Sequence, residues 1–227
     1  MAVSFDALEP VAVATFWASI LGREVVPEAD GALLPGDDTQ VGLRFVAAPT
    51  AKVGRDRIHL HLTSARPEDQ QQTVDTALGL GAGHLDVGQL PEEGHIVLAD
   101  PGGNEFCVIP SGSSFLAGTG FLGELACDGT RAVGHFWSEA LGWPLVWDEN
   151  EETAIQSPHG GTKIAWGGPP VKPKHGRNRQ RFDLVTPDLA EEVERLVGLG
   201  AARLAERAGV VELADPDGNE FTLSRAT

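Results

Sequence analysis

Two histidines and one cysteine are the residues in this sequence whose chemistry could be combined in one site. His59 and His61 alternate with aliphatic residues in the run RIHLHL, so both imidazoles are predicted on one face of a strand. Cys107 lies in a second apolar run, NEFCVI. Imidazole and thiolate are ligands that suit zinc, and imidazole also titrates near neutral pH. The three residues therefore predict either a metal site or an acid–base site.

Structural roles are also open for these residues. Both histidines can be hydrogen-bonded residues of a cleft without a catalytic role, and Cys107 can be small packing material rather than a nucleophile. The two imidazoles are predicted ~6.6–7 Å apart along the strand, a wide reach for one ion. We therefore expect no cofactor, with a divalent ion (zinc, nickel, manganese or iron) as the alternative.

The elements that must position these residues occur twice. The segment LADPGGNEF at 98–106 returns as LADPDGNEF at 213–221, and RIHLHL at 57–62 corresponds to RQRFDL at 179–184. The spacing runs from 115 residues (98 to 213) to 122 residues (57 to 179), and the order of the elements is kept. We infer a tandem duplication, with a first domain at 1–110, a linker rich in Gly and Ser at 111–120 and a second domain at 121–227.

Each repeat predicts a strand, a helix and further strands, followed by a second round of the same elements. The first helix of each repeat contains a Phe-Trp pair and a later Leu-Gly pair, and it covers 10–22 in one repeat and 129–141 in the other. The second helices are predicted at 68–80 and 189–199. The predicted strands lie at 3–8, 41–46, 57–63, 95–98, 105–109, 162–166, 179–185, 210–213 and 220–223.

Alternation within the strands predicts further residues on a polar face that could line a cleft. Arg57 and Arg179 take the same place in the two repeats, where they suit the clamping of a carboxylate or the anchoring of a loop. Trp147 and Trp166 add flat aromatic faces for aromatic or cationic ligands. The predicted ligand-binding residues are Arg57, Glu105, Cys107, Trp147, Trp166, Arg179, Arg181 and Asp183.

The chain is strongly acidic, with 33 Asp and Glu against 17 Lys and Arg and a net charge of −16. Such a surface repels phosphate backbones, so nucleic acid is not expected as a partner. The charge serves solubility or attracts a cationic small molecule. No apolar run approaches the ~18 residues that span a bilayer, and the first residues do not form an export signal. We expect a cytoplasmic protein, because two cysteines on different strands suit a reducing compartment.

The order of the elements, the Phe-Trp…Leu-Gly helix and the Asp-Pro-x-Gly-Asn hairpin resemble the vicinal oxygen chelate superfamily. That superfamily includes glyoxalase I, bleomycin-resistance proteins, fosfomycin-resistance enzymes and extradiol dioxygenases. The Gly-x-x-Arg segment before His59 is most similar to the bacterial glyoxalase-like domain subgroup. The resemblance covers nearly the whole chain. It implies an α+β fold of two tandem domains, each built from two βαβββ modules with a cupped mixed sheet.

The resemblance also implies where a metal would be held, and most of those positions have changed. The Glu expected three residues after the Asn of Asp-Pro-x-Gly-Asn is Cys107 in the first domain and Thr222 in the second. The His expected on the fifth strand is His59 in the first domain and Arg181 in the second. The first and fourth strands offer no ligand at the implied positions, which are Ala2 or Val3, Phe121 or Leu122, Arg44, and Lys163 or Trp166.

These observations favour a small-molecule-binding protein of this superfamily that lacks the usual metal centre, with a cationic or aromatic ligand. The alternative is a lyase or isomerase acting on a small oxygenated metabolite, with His59 and His61 as metal ligand or acid–base groups in the first domain. Whether the protein is an enzyme stays open at this point. In a tandem chain the two domains can pack against each other in the way that two subunits of a single-domain relative pack in a dimer. We therefore expect a monomer or a weak homodimer. No membrane partner is expected.

Overall fold

The structure is a computed structural model that describes residues 1–50, 52 and 54–226. None of the helices in these ranges is long and apolar enough to cross a membrane. The described α-helices are α1 (Pro10–Leu21), α2 (Pro67–Gly79), α3 (Arg131–Leu141) and α4 (Leu189–Gly198), and a short 3-10 helix covers Pro91–Glu93. The strands are β1 (Ala2–Ala7), β2 (Val26–Glu28), β3 (Gly31–Leu34), β4 (Gly42–Ala47), β5 (Ile58–Leu62), β6 (Gly83–His84), β7 (Ile96–Ala99), β8 (Glu105–Val108), β9 (Leu122–Cys127), β10 (Leu145–Glu149), β11 (Glu152–Gln156), β12 (Lys163–Trp166), β13 (Gln180–Thr186), β14 (Ala202–Arg207), β15 (Val210–Ala214) and β16 (Glu220–Arg225).

Helices α1 and α3 carry the repeated Phe-Trp pair and end at the repeated glycine. Pro10 occupies the first turn of α1, where its missing N–H costs no intrahelical bond. Gly22 and Gly142 follow the two helices with φ of 65°, a left-handed conformation that glycine adopts without strain. Their N–H groups donate to the carbonyls of Ala18 and Ser138 and so end each helix at the same point.

Both sheets are shared between the two repeats. The first sheet has the order β14-β15-β16-β13-β1-β4-β3-β2, and the second sheet has the order β10-β11-β12-β9-β5-β8-β7-β6. The first sheet joins the opening module of the first repeat to the closing module of the second, and the second sheet joins the two inner modules. At each junction the strands run antiparallel, β1 against β13 and β5 against β9.

A continuous apolar core extends through both repeats. Helix α1 packs on β3 and β4 of the first sheet, while its Trp17 contacts Phe106 of the second sheet at 5.0 Å between ring centroids. Helix α3 packs on β10 to β12 of the second sheet, while its Trp137 contacts Phe221 of the first at 4.9 Å. The apolar faces of both sheets are therefore covered, and the polar faces are turned away from this core.

The repeated Asp-Pro-x-Gly-Asn turn is fastened to the core by its aspartate. Asp100 accepts hydrogen bonds from the indole Nε1 of Trp17 at 2.8 Å, from the N–H of Gly102 at 2.8 Å and from the N–H of Asn104 at 2.9 Å. In the second repeat Asp215 accepts from the indole of Trp137 at 3.2 Å. In each repeat, the Phe-Trp helix and the Asp-Pro-x-Gly-Asn turn are thus joined by a hydrogen bond from the tryptophan to the aspartate.

The predicted α+β arrangement of four modules is confirmed, with two additions from the structure. Each repeat was expected to form its own cupped sheet, whereas each observed sheet takes one module from each repeat, because β1 pairs with β13 and β5 with β9. The hairpins β2–β3 and β10–β11 were not predicted, because their outermost strands are largely exposed and lack clear alternation. Strands β6, β9 and β14 were also missing from the predicted strands.

Candidate functional site

A row of polar side chains crosses the middle of the second sheet. His61 on β5 is the register partner of Cys107 on β8 and of Glu124 on β9, and Glu124 is in turn the partner of Lys163 on β12. Partners in register point to the same face of a sheet, so these four side chains share the polar face. His59 lies two residues from His61 and belongs to the same face.

Three of these residues form a compact cluster. The ligating atoms of His59, His61 and Cys107 all lie within 4.8 Å of one another. The rings of the two histidines are 4.9 Å apart between centroids. Nδ1 of His61 lies 2.6 Å from Oε2 of Glu124, and we assign the proton of this bond to the imidazole because a carboxylate can only accept. This bond leaves Nε2 as the nitrogen of His61 that is available to Cys107.

The two histidines differ in their affinity for protons. Burial alone would lower the pKa of His61, but hydrogen bonds to Cys107 and Glu124 and the charge of Glu124 raise it to about 10. Burial lowers the pKa of His59 to about 3, assisted by the nearby charges of His61, Lys172 and His95. At neutral pH the site therefore holds one charged imidazole and one neutral imidazole with a free lone pair.

The donor set of this cluster fits a divalent metal. Two imidazole nitrogens and one thiolate are ligands that zinc takes in tetrahedral sites, with metal–nitrogen distances of about 2.0–2.1 Å and metal–sulfur distances of about 2.3 Å. In a tetrahedral site two such ligand atoms lie about 3.3–3.5 Å apart. The atoms of this cluster lie within 4.8 Å of one another, so they would have to approach by at most about 1.5 Å. Side-chain rotation alone supplies a shift of that size.

A cavity of about 460 Å³ lies beside this cluster. Phe115 and Trp147 lie at one side with ring centroids 6.0 Å apart, edge to face. The carboxylates that line the cavity are Glu124, Asp128 and Glu152. Its wall is completed by His59, Ala126 and Ala165, whose register positions put them on the polar face of the second sheet.

One carboxylate oxygen in this cavity is left without a partner. Oδ1 of Asp128 lies 3.5 Å from Nζ of Lys172, at the surface. In the described part of the chain, the buried Oδ2 of Asp128 has no hydrogen-bond partner. A buried acceptor without a donor is costly, so a ligand or a water that donates to it would be stabilised.

The linker contributes to the site. Nζ of Lys163 donates to the carbonyl of Phe115 at 2.5 Å and lies 4.3 Å from the centroid of its ring. These contacts hold the linker against β12 and present Phe115 to Trp147. Residues predicted to be only a spacer therefore form one wall of the cavity.

The corresponding face of the first sheet is filled by ion pairs. Asp183 takes the place that His61 has in the other repeat, and it accepts hydrogen bonds from Ser4, from Nη1 of Arg44 at 2.8 Å and from Oγ1 of Thr222 at 2.6 Å. Arg44 also pairs with Glu28 at 2.9 Å. A guanidinium thus stands beside Asp183, and the side chains that could have formed a second site satisfy one another.

The arginines and the glutamate predicted to bind ligand are engaged in structural contacts. Arg57 donates to Oδ1 of Asn219 at 2.8 Å and to the carbonyl of Lys172, and Arg179 donates to the carbonyls of Thr50 and Asp6. Buried Arg181 pairs with Asp6 at 2.7 Å, and Glu105 lies 3.4 Å from Nζ of Lys52. These contacts leave His59, His61, Cys107 and Trp147 as the predicted residues that the structure brings to one site.

The two candidate tryptophans have different positions. Trp147 is 38% exposed and reaches the cavity. Trp166 is 2% exposed and lies on the core face of β12 with Ile164, so it contacts the cavity only from the core side of the sheet. Trp147 is therefore the better candidate for contact with a ligand.

Sequence reasoning missed Glu124, Phe115, Asp128 and Glu152. The first-strand position was expected near Phe121 or Leu122, whereas the polar residue that faces His61 is Glu124. A signal was present, because Glu124 is an isolated carboxylate in the apolar run LGELAC. Asp128 follows the same strand directly. Nothing in the sequence indicated that Phe115 of the linker would fold back.

A larger cavity of about 820 Å³ lies between α2 and the linker. It is lined mainly by hydroxyl and aliphatic side chains, such as Ser64, Thr73 and Leu116. Among the described residues, the cluster of His and Cys with metal-ligand geometry lies elsewhere, at the smaller cavity. We therefore place the candidate site in the second sheet, where titratable groups and the cavity coincide.

Comparison with known families agrees with this architecture. The family model described as "glyoxalase-like domain" matches residues 2–109 and again residues 124–224. The chain belongs to the glyoxalase-like domain family. The predicted membership of the vicinal oxygen chelate superfamily is confirmed, as are its two tandem glyoxalase-like domains. No curated protein matches the chain significantly.

Solved structures show the same fold at low sequence identity. Glyoxalase I from Zea mays is 15% identical with a TM-score of 0.66, and the match covers 98% of this chain and 90% of that one. A single-residue mutant of the Zea mays enzyme gives 14% identity, a TM-score of 0.65 and coverage of 99% and 92%. A glyoxalase/bleomycin resistance protein/dioxygenase family enzyme from Burkholderia phytofirmans gives 18% identity, a TM-score of 0.39 and coverage of 46% and 92%. The full-length matches establish that this glyoxalase-like protein has the tandem fold.

Proposed function

We propose that this glyoxalase-like protein binds a small cationic or aromatic molecule in the cavity of the second sheet. The observation that carries the proposal is the composition of this cavity. Two aromatic rings, Phe115 and Trp147, lie at one side, and three carboxylates are among the other side chains that line it. Aromatic faces attract cations through their quadrupole, and a carboxylate with an unpartnered oxygen, such as Asp128, favours a donor or a positive charge.

The size and charge of the site support the same ligand class. A volume of about 460 Å³ lies within the range of about 300–1,000 Å³ typical of small-molecule sites. The net charge of −16 raises the local concentration of cations around the whole protein. The neutral state of His59 adds no opposing charge at neutral pH. Three cations near the cavity are already engaged: Lys172 pairs with Asp128, Lys163 lies 4.3 Å from the ring centroid of Phe115, and His61 is bonded to Glu124.

Calorimetric titration of protein treated with a chelator tests the proposal. The probe is benzyltrimethylammonium, and benzenesulfonate is the anionic control of similar size. We expect binding of the cation alone, weakened about 5–30-fold by Trp147→Ala, in line with a cation–π contact of about 1–2 kcal/mol. Glu152→Gln should weaken binding and Glu24→Gln, which changes an exposed carboxylate outside the cavity, should not. Equal affinity for both probes, or for wild type and Trp147→Ala, would refute the proposal.

A second candidate function is a lyase or isomerase reaction on a small oxygenated metabolite. It is favoured by the cluster of His59, His61 and Cys107 beside the cavity. A metal bound there would supply Lewis acid polarisation of a substrate oxygen. His59 borders the cavity and, being neutral, can accept a proton from a bound molecule. Turnover of a candidate substrate that His59→Gln abolishes, while leaving the fold intact by circular dichroism, would support this function over simple binding.

A cytoplasmic location remains part of the proposal. Both cysteines are free thiols, and they are buried on strands β8 and β9. Buried thiols are stable in a reducing compartment. Fractionation of cells that express the protein tests this location.

A further inference from the structure

Basic side chains are concentrated in two segments of this acidic protein. Segments 52–57 and 172–181 contain eight of the 17 Lys and Arg residues but only one of the 33 Asp and Glu residues, Asp56. They lead into β5 and β13, which are equivalent strands of the two repeats, so the run GRDR at 54–57 corresponds to GRNR at 176–179. Such an uneven distribution creates a local positive potential on a negative surface.

Arginines that cross between the repeats join these two segments. Nη1 of Arg57 donates to the carbonyl of Lys172 at 2.7 Å, and Nη1 of Arg179 donates to the carbonyl of Thr50 at 2.9 Å. Each of the two equivalent arginines therefore contacts the loop of the other repeat. The exchange brings both loops to the junction of the repeats.

A cavity of about 90 Å³, the loop cavity, lies between the two segments. Its basic lining consists of Lys52, Arg55, Arg57, Arg177 and Arg179. Among the described residues, Asp56 is the only carboxylate that lines it. The volume is well below the range of about 300–1,000 Å³ typical of sites for whole small molecules, so the loop cavity suits a single ionic group.

Two of these five cations already have carboxylate partners. Nζ of Lys52 lies 3.3 Å from Asp56 and 3.4 Å from Glu105. Arg177 pairs with Glu212 at 2.6 Å. The charges of Lys52 and Arg177 are therefore balanced within the protein, and so is the charge of Asp56.

The other three cations are not balanced in this way. In the part of the chain that the structure describes, Arg55, Arg57 and Arg179 donate to backbone carbonyls and to the side-chain amide of Asn219, and not to carboxylates. Neutral acceptors satisfy single N–H groups but do not cancel a charge. The buried Nε of Arg179 has no acceptor among the described residues, and a buried donor without a partner is costly.

We propose that the loop cavity binds a tetrahedral oxyanion, as inorganic phosphate or as the phosphate group of a small metabolite, through Arg55, Arg57 and Arg179. Guanidinium groups bind phosphate with paired N–H donors, and a doubly negative anion supplies the counterion that these arginines lack. The bound anion joins the loops of the two repeats. The proposal is independent of the capture of cations, because the loop cavity shares no lining residue with the cavity of the second sheet.

Calorimetric titration of the full-length protein with sodium phosphate, in Tris buffer free of phosphate and sulfate, tests the proposal. Sodium chloride at equal ionic strength is the control for nonspecific screening of charge. We expect one phosphate per chain and no saturable binding of chloride. A parallel titration with methyl phosphate distinguishes the two sources, because similar affinity supports a phosphate ester and exclusion of the ester supports the free anion. Absence of saturable phosphate binding would overturn the proposal.

Matched arginine variants assign the residues. Arg57→Gln and Arg179→Gln should each weaken phosphate binding by about 10–100-fold, as expected for hydrogen bonds to a charged group. Arg55→Gln, which changes an exposed side chain, should weaken it by about 2–5-fold. Arg203→Gln should have no effect, because Arg203 is exposed on β14 and pairs with Glu206.

Circular dichroism shows whether each variant is folded. The exposed position of Arg55 keeps the test valid if a variant of Arg57 or Arg179 does not fold. Phosphate affinity that is unchanged in the folded variants of the loop cavity, or reduced equally in Arg203→Gln, would overturn the assignment of the site.

Discussion

His61 and Glu124 lie 2.6 Å apart across the β5–β9 pair, although they belong to different repeats of the chain. This contact makes the candidate site a property of the duplication and not of either domain. Separate repeats would lose it, because β9 would no longer cover the edge of β5. The same junction brings the linker residue Phe115 and the carboxylate of Asp128 to the cavity.

Filling the cavity should abolish ligand capture without unfolding the protein. Ala165 lies on the polar face of β12 and lines the cavity, away from the apolar core. We expect Ala165→Phe to abolish binding of benzyltrimethylammonium while the free energy of unfolding changes by less than about 1 kcal/mol, as for surface substitutions. Calorimetry and urea denaturation measure the two effects. Undiminished affinity would show that the cation binds elsewhere.

The indole of Trp17 should contribute measurably to stability through Asp100. The variant Trp17→Phe keeps most of the packing but removes the 2.8 Å bond to Asp100. We expect a loss of about 1–3 kcal/mol, because Asp100 keeps its other donors in the turn. Urea denaturation gives the value. Trp137→Phe is the matched variant in the second repeat, where the bond is 3.2 Å long, and it should cost no more.

Asp56 should make stability fall as the pH rises from about 4 to 6. Burial is the main cause that raises the pKa of this carboxyl from 3.8 to about 6, against the charge of Lys52 and hydrogen bonds from Gln180 and the N–H of Glu105. The charge of Glu105 raises it further. The folded state then binds more protons than the unfolded state between these values, so the stabilisation is complete below pH 4 and lost above about 6.

The variant Asp56→Asn tests this sign. It cannot titrate, so the difference in unfolding free energy between variant and wild type should change by about 1–3 kcal/mol between pH 4 and 7. Denaturant titrations at several pH values measure the difference, and subtraction cancels the contributions of the other buried carboxyls, such as Asp100 and Asp215. A difference that is constant with pH would contradict the assigned pKa.

The ion pairs of the first sheet should serve stability and not ligand capture. Arg44→Met leaves Asp183 with hydroxyl donors from Ser4 and Thr222 but without its cation. We expect a loss of about 1–3 kcal/mol, at the lower end for a partly exposed pair, and unchanged affinity for the cationic probe. Denaturation and calorimetry on one preparation test both parts. A change in probe affinity would show that the two sheets are coupled.

Several features of the protein were predictable because they are local in the sequence. The repeated Phe-Trp and Asp-Pro-x-Gly-Asn motifs revealed the duplication, and alternation in RIHLHL put His59 and His61 on one face. Cys107 was recognisable from its distance to the Asn of the hairpin. These predictions hold because strand alternation and turn chemistry depend on neighbouring residues.

The identity of the working site was decided by tertiary structure. Which strand pairs with β5 is a long-range choice, and a shift of one residue in that pairing would turn Glu124 away from His61. The sequence by itself therefore determined the four modules and which side chains of each strand lie on the same face, including His59 and His61. Tertiary structure alone decided three contacts: Glu124 lies beside His61, Phe115 forms one wall of the cavity, and Arg44 pairs with Asp183 on the polar face of the first sheet. Each of these contacts joins segments that are distant in the sequence and that only the exchange of modules between the two sheets brings together.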